Sequence, residues 1–122
     1  MENNILAFRC SNNKLIILEI DKIVYFEKST KKIIIHLETS QKIEILNTSM
    51  NRLSTFLEEN NLLNTQFFRS HCSFIVNIRY IKVIKNHTII LNNYHEDEIP
   101  ISYSKKNDFK NTIRNNLAIF EI

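Results

Sequence analysis

A cysteine and the histidine beside it, Cys72 and His71, are the side chains in this sequence best suited to covalent chemistry. A thiol and an imidazole work as a nucleophilic pair only within hydrogen-bonding reach of each other. The aromatic and β-branched residues on both sides predict one strand over residues 67–77, and neighbouring side chains on a strand point to opposite faces. We therefore expect no Cys72–His71 pair, and we expect His71 to be a core histidine.

Patterns for metals, nucleotides and acyl-enzyme chemistry are absent from the sequence. It has neither the C-x-x-C nor the H-x-x-x-H spacing that is typical of zinc sites. The acidic run 96–98 lacks the glycine and the spaced carboxylates of a calcium loop, so we expect a solvated hairpin tip. The chain contains no glycine, which excludes glycine-rich phosphate loops and the G-x-S-x-G nucleophile elbow. We predict that the protein is not an enzyme and uses no cofactor and no metal.

Basic side chains are more informative because they cluster at three places. The clusters are Lys28, Lys31 and Lys32 at a predicted turn, Arg69 with the more distant Arg79, and Lys105, Lys106 and Lys110 at the start of a predicted helix. Long cations at turns can neutralise phosphate groups, and hydroxyls in the same segments can add hydrogen bonds. These hydroxyls belong to Ser70, Ser73, Tyr103 and Ser104. Charge alone favours the simpler interpretation, which is a solvated rim on a small domain.

The elements that must position these side chains fit one domain over residues 1–122. No apolar run approaches the roughly 20 residues of a membrane helix, and the first ten residues lack the pattern of a signal peptide. Two cysteines are too few for a disulfide framework. The net charge is +3, which permits a nucleic-acid partner without requiring one. We predict a cytoplasmic protein with no membrane partner.

Hydrophobic periodicity predicts a mainly β protein of stacked antiparallel sheets with two short helices. Nine short apolar runs are expected to be strands, among them a single strand over 67–77 and a hairpin around 85–87. The spacing of Met50, Leu53 and Leu57 predicts a helix that Thr48 or Ser49 caps, and a second helix is expected from Ser104. Pairs of asparagines at 12–13, 60–61 and 92–93 mark the loops, because asparagine tolerates turn conformations.

One segment carries a resemblance to a known family. Residues 67–77 read FFRSHCSFIVN, which resembles the F-x-R-x-H-x-S-[YF]-[IVL]-V-N signature of the LytTR-type DNA-binding domain. This domain is the effector of LytR/AlgR-class bacterial response regulators. Upstream, residues 20–27 resemble the family's D-I-x-Y-[IF]-E strand, and downstream residues 99–102 resemble its I-P-[VI]-S motif. The three motifs stand in the right order, and the resemblance covers about residues 8–114.

The resemblance implies an all-β core and sequence-specific binding of double-stranded promoter DNA. Loops would enter successive major grooves of a direct repeat, with a second copy on the same DNA and a receiver domain in a longer chain. The contact regions carry over onto the 31–32 turn, the 69–73 segment and the 103–106 segment. The predicted DNA-binding residues are Lys31, Lys32, Arg69, Ser70, Cys72, Ser73, Tyr103, Lys105 and Lys106.

Structural roles are expected for other residues of the signature. Phe68, Phe74, Ile75 and Val76 should be core, and Asn77 should bond to backbone at a turn. For Arg69, a phosphate contact and a surface ion pair are both open.

Two departures from the family pattern keep other functions open. Cys72 stands where a basic or amide-bearing residue is common, and Tyr103 stands where arginine is common. Arginine reads guanine and asparagine reads adenine, and neither cysteine nor tyrosine reproduces those pairings. One alternative is a LytTR-like protein-interaction module with a degenerated DNA surface. A third interpretation is a redox sensor in which Arg69 lowers the pKa of the Cys72 thiol.

Overall fold

The computed structural model describes residues 4–122 and contains ten strands in those residues. The strands are β1 (Ile5–Arg9), β2 (Leu15–Glu19), β3 (Ile23–Ser29), β4 (Lys32–Leu37), β5 (Lys42–Leu46), β6 (Phe67–His71), β7 (Phe74–Asn77), β8 (Ile81–Ile84), β9 (Thr88–Leu91) and β10 (Glu98–Pro100). The helices are α1 (Met50–Glu59) and α2 (Lys106–Asn116), and short 3-10 helices cover Ile20–Lys22, Ile78–Tyr80 and Tyr103–Lys105. The predicted mainly β fold with two short helices is confirmed.

The strand predicted over residues 67–77 is wrong, because it is two strands joined by a tight turn at Cys72 and Ser73. The imidazole Nδ1 of His71 accepts a hydrogen bond from the backbone N–H of Ser73 at 3.1 Å. This local bond stabilises the turn. Because apolar residues lie on both sides of this turn, hydrophobic periodicity does not reveal the break between the two strands.

The strands form three antiparallel sheets. The five-stranded sheet has the order β5-β4-β3-β7-β6, and β1-β2 and β10-β9-β8 form the two others. The five-stranded sheet is covered on both faces. Phe26 and Phe67 face a core with α1 and the β1-β2 pair, whereas Val24 and Phe68 face a core with α2 and the β8–β10 sheet. The neighbours Phe67 and Phe68 belong to opposite cores, as alternation along a strand requires. Val24 and Phe26 also face opposite cores, because the register of β3 shifts between Ile23 and Tyr25.

Strand register places three turns at one end of the molecule. Glu27 pairs with Phe74, and the backbone N–H of Lys28 donates to Ser73 O at 2.8 Å, so the β3–β4 and β6–β7 turns are adjacent. The N–H of Ser102 donates to Ser70 O at 2.8 Å, and that of Ile101 donates to His87 O at 2.9 Å. These bonds bring the β8–β9 turn and the Tyr103–Lys105 helix to the same place. We call this assembly the turn end.

Asparagine takes the backbone positions that glycine usually fills. Asn13, Asn47, Asn61 and Asn64 have positive φ angles between 57° and 65°, a region that asparagine tolerates better than most residues. The loops predicted at 12–13, 60–61 and 92–93 are confirmed. Ser49 caps α1 by accepting from the N–H of Arg52 at 3.2 Å, as predicted. Lys31 also has a positive φ, 57°, which is unusual for a long side chain.

Candidate nucleic-acid interface

The β3–β4 turn separates the two lysines that the sequence placed together. Lys31 is exposed at the tip of the turn. Lys32 begins β4 and pairs with Glu44 of β5 at 2.8 Å. The backbone O of Lys31 accepts from Asn47 N–H at 3.0 Å, which fixes the turn against the segment that leads into α1.

The guanidinium of Arg69 is held by two hydrogen bonds to neutral groups. Its Nη1 donates to Asn51 Oδ1 at 2.8 Å, and its Nη2 donates to the backbone O of Cys72 at 2.9 Å. The surface ion pair considered from the sequence is not formed, because no carboxylate lies within ion-pairing distance of Arg69 in residues 4–122. The positive charge of Arg69 is therefore positioned but not neutralised.

The structure brings His71 and Cys72 together, contrary to expectation. Cys72 is exposed, and its Sγ lies 3.6 Å from His71 Nδ1 and 3.7 Å from Ser73 Oγ. The strand rule fails here because the pair is at a turn. His71 is half-buried beside Phe74, so the prediction of a core histidine is also wrong.

Ser70 was predicted to contact DNA, and the structure contradicts this role. The residue is completely buried, and its Oγ has no hydrogen-bond partner among residues 4–122. The side chain therefore cannot reach a duplex at the surface. Its backbone O instead accepts from Ser102 N–H and from Ser102 Oγ at 3.3 Å. Ser70 thus joins the β6–β7 turn to the 103–106 segment through its main chain.

The 103–106 segment forms a 3-10 turn before α2 begins at Lys106, two residues after the predicted start. Tyr103 is 85% exposed. The ammonium of Lys106 lies 5.8 Å from the centroid of the Tyr103 ring and 3.5 Å from His87 Nε2. Arg69 and Lys105 line one shallow groove between α1 and α2, which also contains Asp108.

Charges are distributed unevenly between the two ends of the molecule. Three ion pairs lie at the end opposite to the turn end, namely Lys22–Glu38 at 2.8 Å, Arg79–Asp21 at 3.1 Å and Lys82–Glu96 at 2.7 Å. At the turn end, Lys28, Lys31, Arg69, Lys105 and Lys106 have no carboxylate partner in the described part of the chain. The turn end therefore carries a cluster of cations that no carboxylate of residues 4–122 neutralises.

The acidic run 96–98 belongs to the opposite end and is more than a solvated tip. Asp97 is half-buried and accepts hydrogen bonds from Tyr25 Oη at 3.2 Å and from Asn93 Nδ2 at 2.9 Å. Burial and then the charge of Asp97 raise the pKa of the Tyr25 hydroxyl. The hydrogen bond from Lys82 lowers the pKa of the Glu96 carboxyl. The expectation for this run is therefore wrong at Asp97.

Ion pairing also shifts pKa values around Glu38. Hydrogen bonds from Lys22 and then Tyr80 lower the pKa of the Glu38 carboxyl, and the bond to Glu38 raises the pKa of Lys22. Burial and then Glu38 raise the pKa of the Tyr80 hydroxyl to about 12. These groups are structural, because they lie far from the turn end.

The remaining signature residues have the predicted structural roles. Asn77 is fully buried, donates to Ile23 O at 2.8 Å, and accepts from the N–H of Arg79 at 3.1 Å and from Gln66 Nε2 at 2.8 Å. Phe68 and Val76 are buried in the core with α2, and Phe74 packs against that core, whereas Ile75 is buried in the core with α1.

Two residues of the turn end were not found from the sequence. Asn51 accepts a hydrogen bond from Arg69, which is 18 residues away in the sequence. His87 contacts Lys106, which is 19 residues away in the sequence. No local pattern marks either contact, because each depends on the packing of separate elements.

No group of His, Cys, Asp and Glu side chains within residues 4–122 is arranged to hold a metal ion. Among the helices of the same residues, none is long and apolar enough to cross a membrane.

A mainly β domain that presents cations, unpaired within residues 4–122, on turns at one end is suited to bind an extended polyanion, which is a property of nucleic-acid-binding domains. The model of the LytTr DNA-binding domain family matches residues 13–114. The chain belongs to the LytTr DNA-binding domain family, which is a family of DNA-binding domains and not of enzymes.

A solved structure has the same fold. It is described as "LytTr DNA-binding domain of putative methyl-accepting/DNA response regulator from Bacillus cereus". The TM-score is 0.63 at 22% identity, and the match covers 92% of this chain and 98% of the other. No curated protein matches the chain.

Proposed function

We propose that this chain is the sequence-specific DNA-binding domain of a bacterial transcription regulator and that its turn end contacts the DNA. The observation that carries the proposal is the position of the signature turn, 69–73, among cations that have no carboxylate partner within residues 4–122. Carboxylates neutralise Lys22, Arg79 and Lys82 at the opposite end, whereas the family motif lies beside the cations of the turn end.

The turn end offers two kinds of contact to a duplex. Lys31, Arg69, Lys105 and Lys106 would bind phosphates, which sets position and affinity. The exposed side chains of Cys72 and Tyr103, with Ser73, would reach base edges from turns that enter successive major grooves. Lys32 can join them, because an ion pair as accessible as Lys32–Glu44 is weak and a phosphate can replace Glu44.

The partners follow from the same proposal. A direct-repeat promoter site would carry two copies of the domain, and residues 1–122 would act as one DNA-binding unit. The Bacillus cereus neighbour is described as part of a response regulator, which supports a receiver domain in a longer chain.

Selection from a pool of random duplexes tests the proposal. The selected duplex is then titrated against a scrambled duplex at several salt concentrations. We expect an enriched direct repeat, a preference over the scramble, and a steep loss of affinity with salt.

Single lysine variants locate the surface. Lys31→Gln or Lys105→Gln should each reduce the slope of log affinity against log salt by about 1. Lys82→Gln, at the opposite end, should leave the slope unchanged. Absence of both enrichment and salt-dependent binding would overturn the proposal and favour the protein-interaction module, for which Cys72 and Tyr103 are the departures from the family pattern.

A further inference from the structure

A cleft of about 580 Å³ opens between β1, the end of β5 and α1. This volume lies within the roughly 300–1,000 Å³ of clefts that bind ligands. Its apolar lining includes Phe8, Phe26, Ile45 and Phe56, and polar residues such as Asn47 and Thr48 line the rest. Two exposed arginines, Arg9 and Arg52, also line it, and neither has a carboxylate partner in residues 4–122. The cleft is suited to an apolar segment that carries negative charge.

The segment after α2 has that chemistry. Ile119 is 52% exposed, Phe120 is 89% exposed and Ile122 is fully exposed, and Glu121 is exposed among them. Contiguous exposed apolar side chains of this kind mark a contact surface. The segment leaves α2 beside Asn64, where Asn116 Nδ2 donates to Asn64 O at 3.1 Å. Its side chains remain exposed and do not fill the cleft of their own chain.

We propose that residues 117–122 of one copy dock into the cleft of a second copy. Phe120 and the neighbouring isoleucines would pack on the apolar walls, and Glu121 would pair with Arg9 or Arg52. The segment lies wholly outside the residues that match the family model, and so does the β1 wall of the cleft. The contact would therefore be a property of this chain beyond its family fold.

This contact joins two different patches and is heterologous, so it can repeat copies in the same orientation. Direct repeats in DNA require that orientation, although this consequence rests on the proposed function. A contact of six residues is expected to be weak in free solution. Two copies bound side by side on DNA would meet at an effective concentration on the order of millimolar, where a weak contact becomes significant.

Sedimentation of the full chain over a wide concentration range tests the contact without DNA. We expect reversible association that Phe120→Asp weakens by more than about tenfold, which is the effect of losing a buried phenyl group. Tyr94→Asp is the matched control, because Tyr94 is an equally exposed aromatic (83%) outside both the segment and the cleft. A monomer at every concentration, or association that Phe120→Asp leaves intact, would overturn the proposal.

A labelled peptide of residues 116–122, titrated into the full chain, tests the charge pairing. Arg9→Glu combined with Arg52→Glu should weaken its binding by about twofold to fivefold. A peptide with Glu121→Arg should recover affinity for that doubly substituted protein. Docking in this cleft would be refuted by a peptide that binds neither protein, or by affinities that do not change when the charges are exchanged.

A DNA titration separates this inference from the proposed function. If both hold, Phe120→Asp binds a single repeat normally and loses cooperativity on two adjacent repeats. If wild-type protein binds single repeats but shows no cooperativity on two, the docking proposal fails alone. If it binds no repeat, the proposed function fails, and sedimentation still decides whether the copies associate.

Discussion

The guanidinium of Arg69 donates to the side-chain oxygen of Asn51 at 2.8 Å, which ties the β6–β7 turn to the first turn of α1. The contact orients a cationic side chain before any partner arrives. We predict that Arg69→Gln weakens DNA binding and reduces the salt slope by about 1, because one phosphate contact is lost. Asn51→Ala should keep the slope and cost about twofold to tenfold in affinity, the cost of ordering a free side chain on binding.

Affinity measured across a salt series for both variants checks this prediction. Circular dichroism would confirm that each variant is folded. An equal reduction of slope in Asn51→Ala would show that the amide is needed for the phosphate contact itself.

Lys31 combines an unfavourable backbone conformation with an exposed charge. A left-handed conformation costs an ordinary residue roughly 1–2 kcal/mol, and asparagine tolerates it better. We predict that Lys31→Asn raises the free energy of unfolding by up to about 1 kcal/mol and weakens DNA binding. Lys31→Gln should weaken DNA binding equally without the gain in stability. Urea titration and DNA titration of the two variants distinguish the effects, and unchanged DNA affinity in both would remove Lys31 from the interface.

Cys72 can recognise a thymine through its methyl group, because a thiol is a small, largely apolar side chain. Replacing the contacted thymine with uracil should weaken binding about fourfold, the value of one buried methyl group. Cys72→Ser should show a similar loss on the thymine duplex and little further loss on the uracil duplex. Equal affinity for thymine and uracil duplexes at every position would argue against a methyl contact.

The buried hydroxyl of Ser70 has no hydrogen-bond partner in the described part of the chain, so it costs stability. We predict that Ser70→Ala raises the free energy of unfolding by about 1 kcal/mol and leaves DNA affinity unchanged. The contacts that Ser70 makes to Ser102 use its backbone O and survive the substitution. Urea denaturation checks the first expectation. A destabilised Ser70→Ala protein would show instead that the hydroxyl has a partner.

The lowered pKa of Glu38 predicts an acid-sensitive contribution to stability. A carboxyl group whose pKa is lower in the folded than in the unfolded protein stabilises the fold above its ordinary range, and this stabilisation is lost as pH falls through the folded value. Lys22→Gln should therefore be less stable than wild type at neutral pH and approach it below about pH 4. Thermal unfolding across pH at low salt measures the difference. Lys14→Gln removes an exposed charge outside the ion pairs, so its stability should equal that of wild type at every pH.

Much of the fold could be predicted from the sequence because periodicity is strong where strands are buried. The β8–β9 hairpin and the Ser49 cap of α1 follow from local patterns, and the structure has both. The His71–Cys72 turn could not be predicted from periodicity, because a turn stabilised by a side-chain hydrogen bond leaves no break in an apolar run.

The site was predictable only in part. The burial of Ser70 could have been inferred, since Phe68 lies two residues earlier on the same face of β6 and was expected in the core. The Lys32–Glu44 pair depends on the β4–β5 register, and the Asn51–Arg69 contact depends on how α1 packs against the sheet. Such contacts arise from tertiary structure and have no signature in a single sequence.

The segregation of ion pairs from free cations has a kinetic consequence. Because five cations without a carboxylate partner in residues 4–122 lie at the turn end, whereas three ion pairs lie at the opposite end, the positive charge of the turn end gives the molecule an electric dipole along the axis that joins its two ends. In the field of a polyanion this dipole would orient the molecule so that the β6–β7 turn faces the DNA before contact. A larger fraction of collisions would then bring the binding surface to the DNA. The association rate, as well as the affinity, should then fall steeply as salt screens the field.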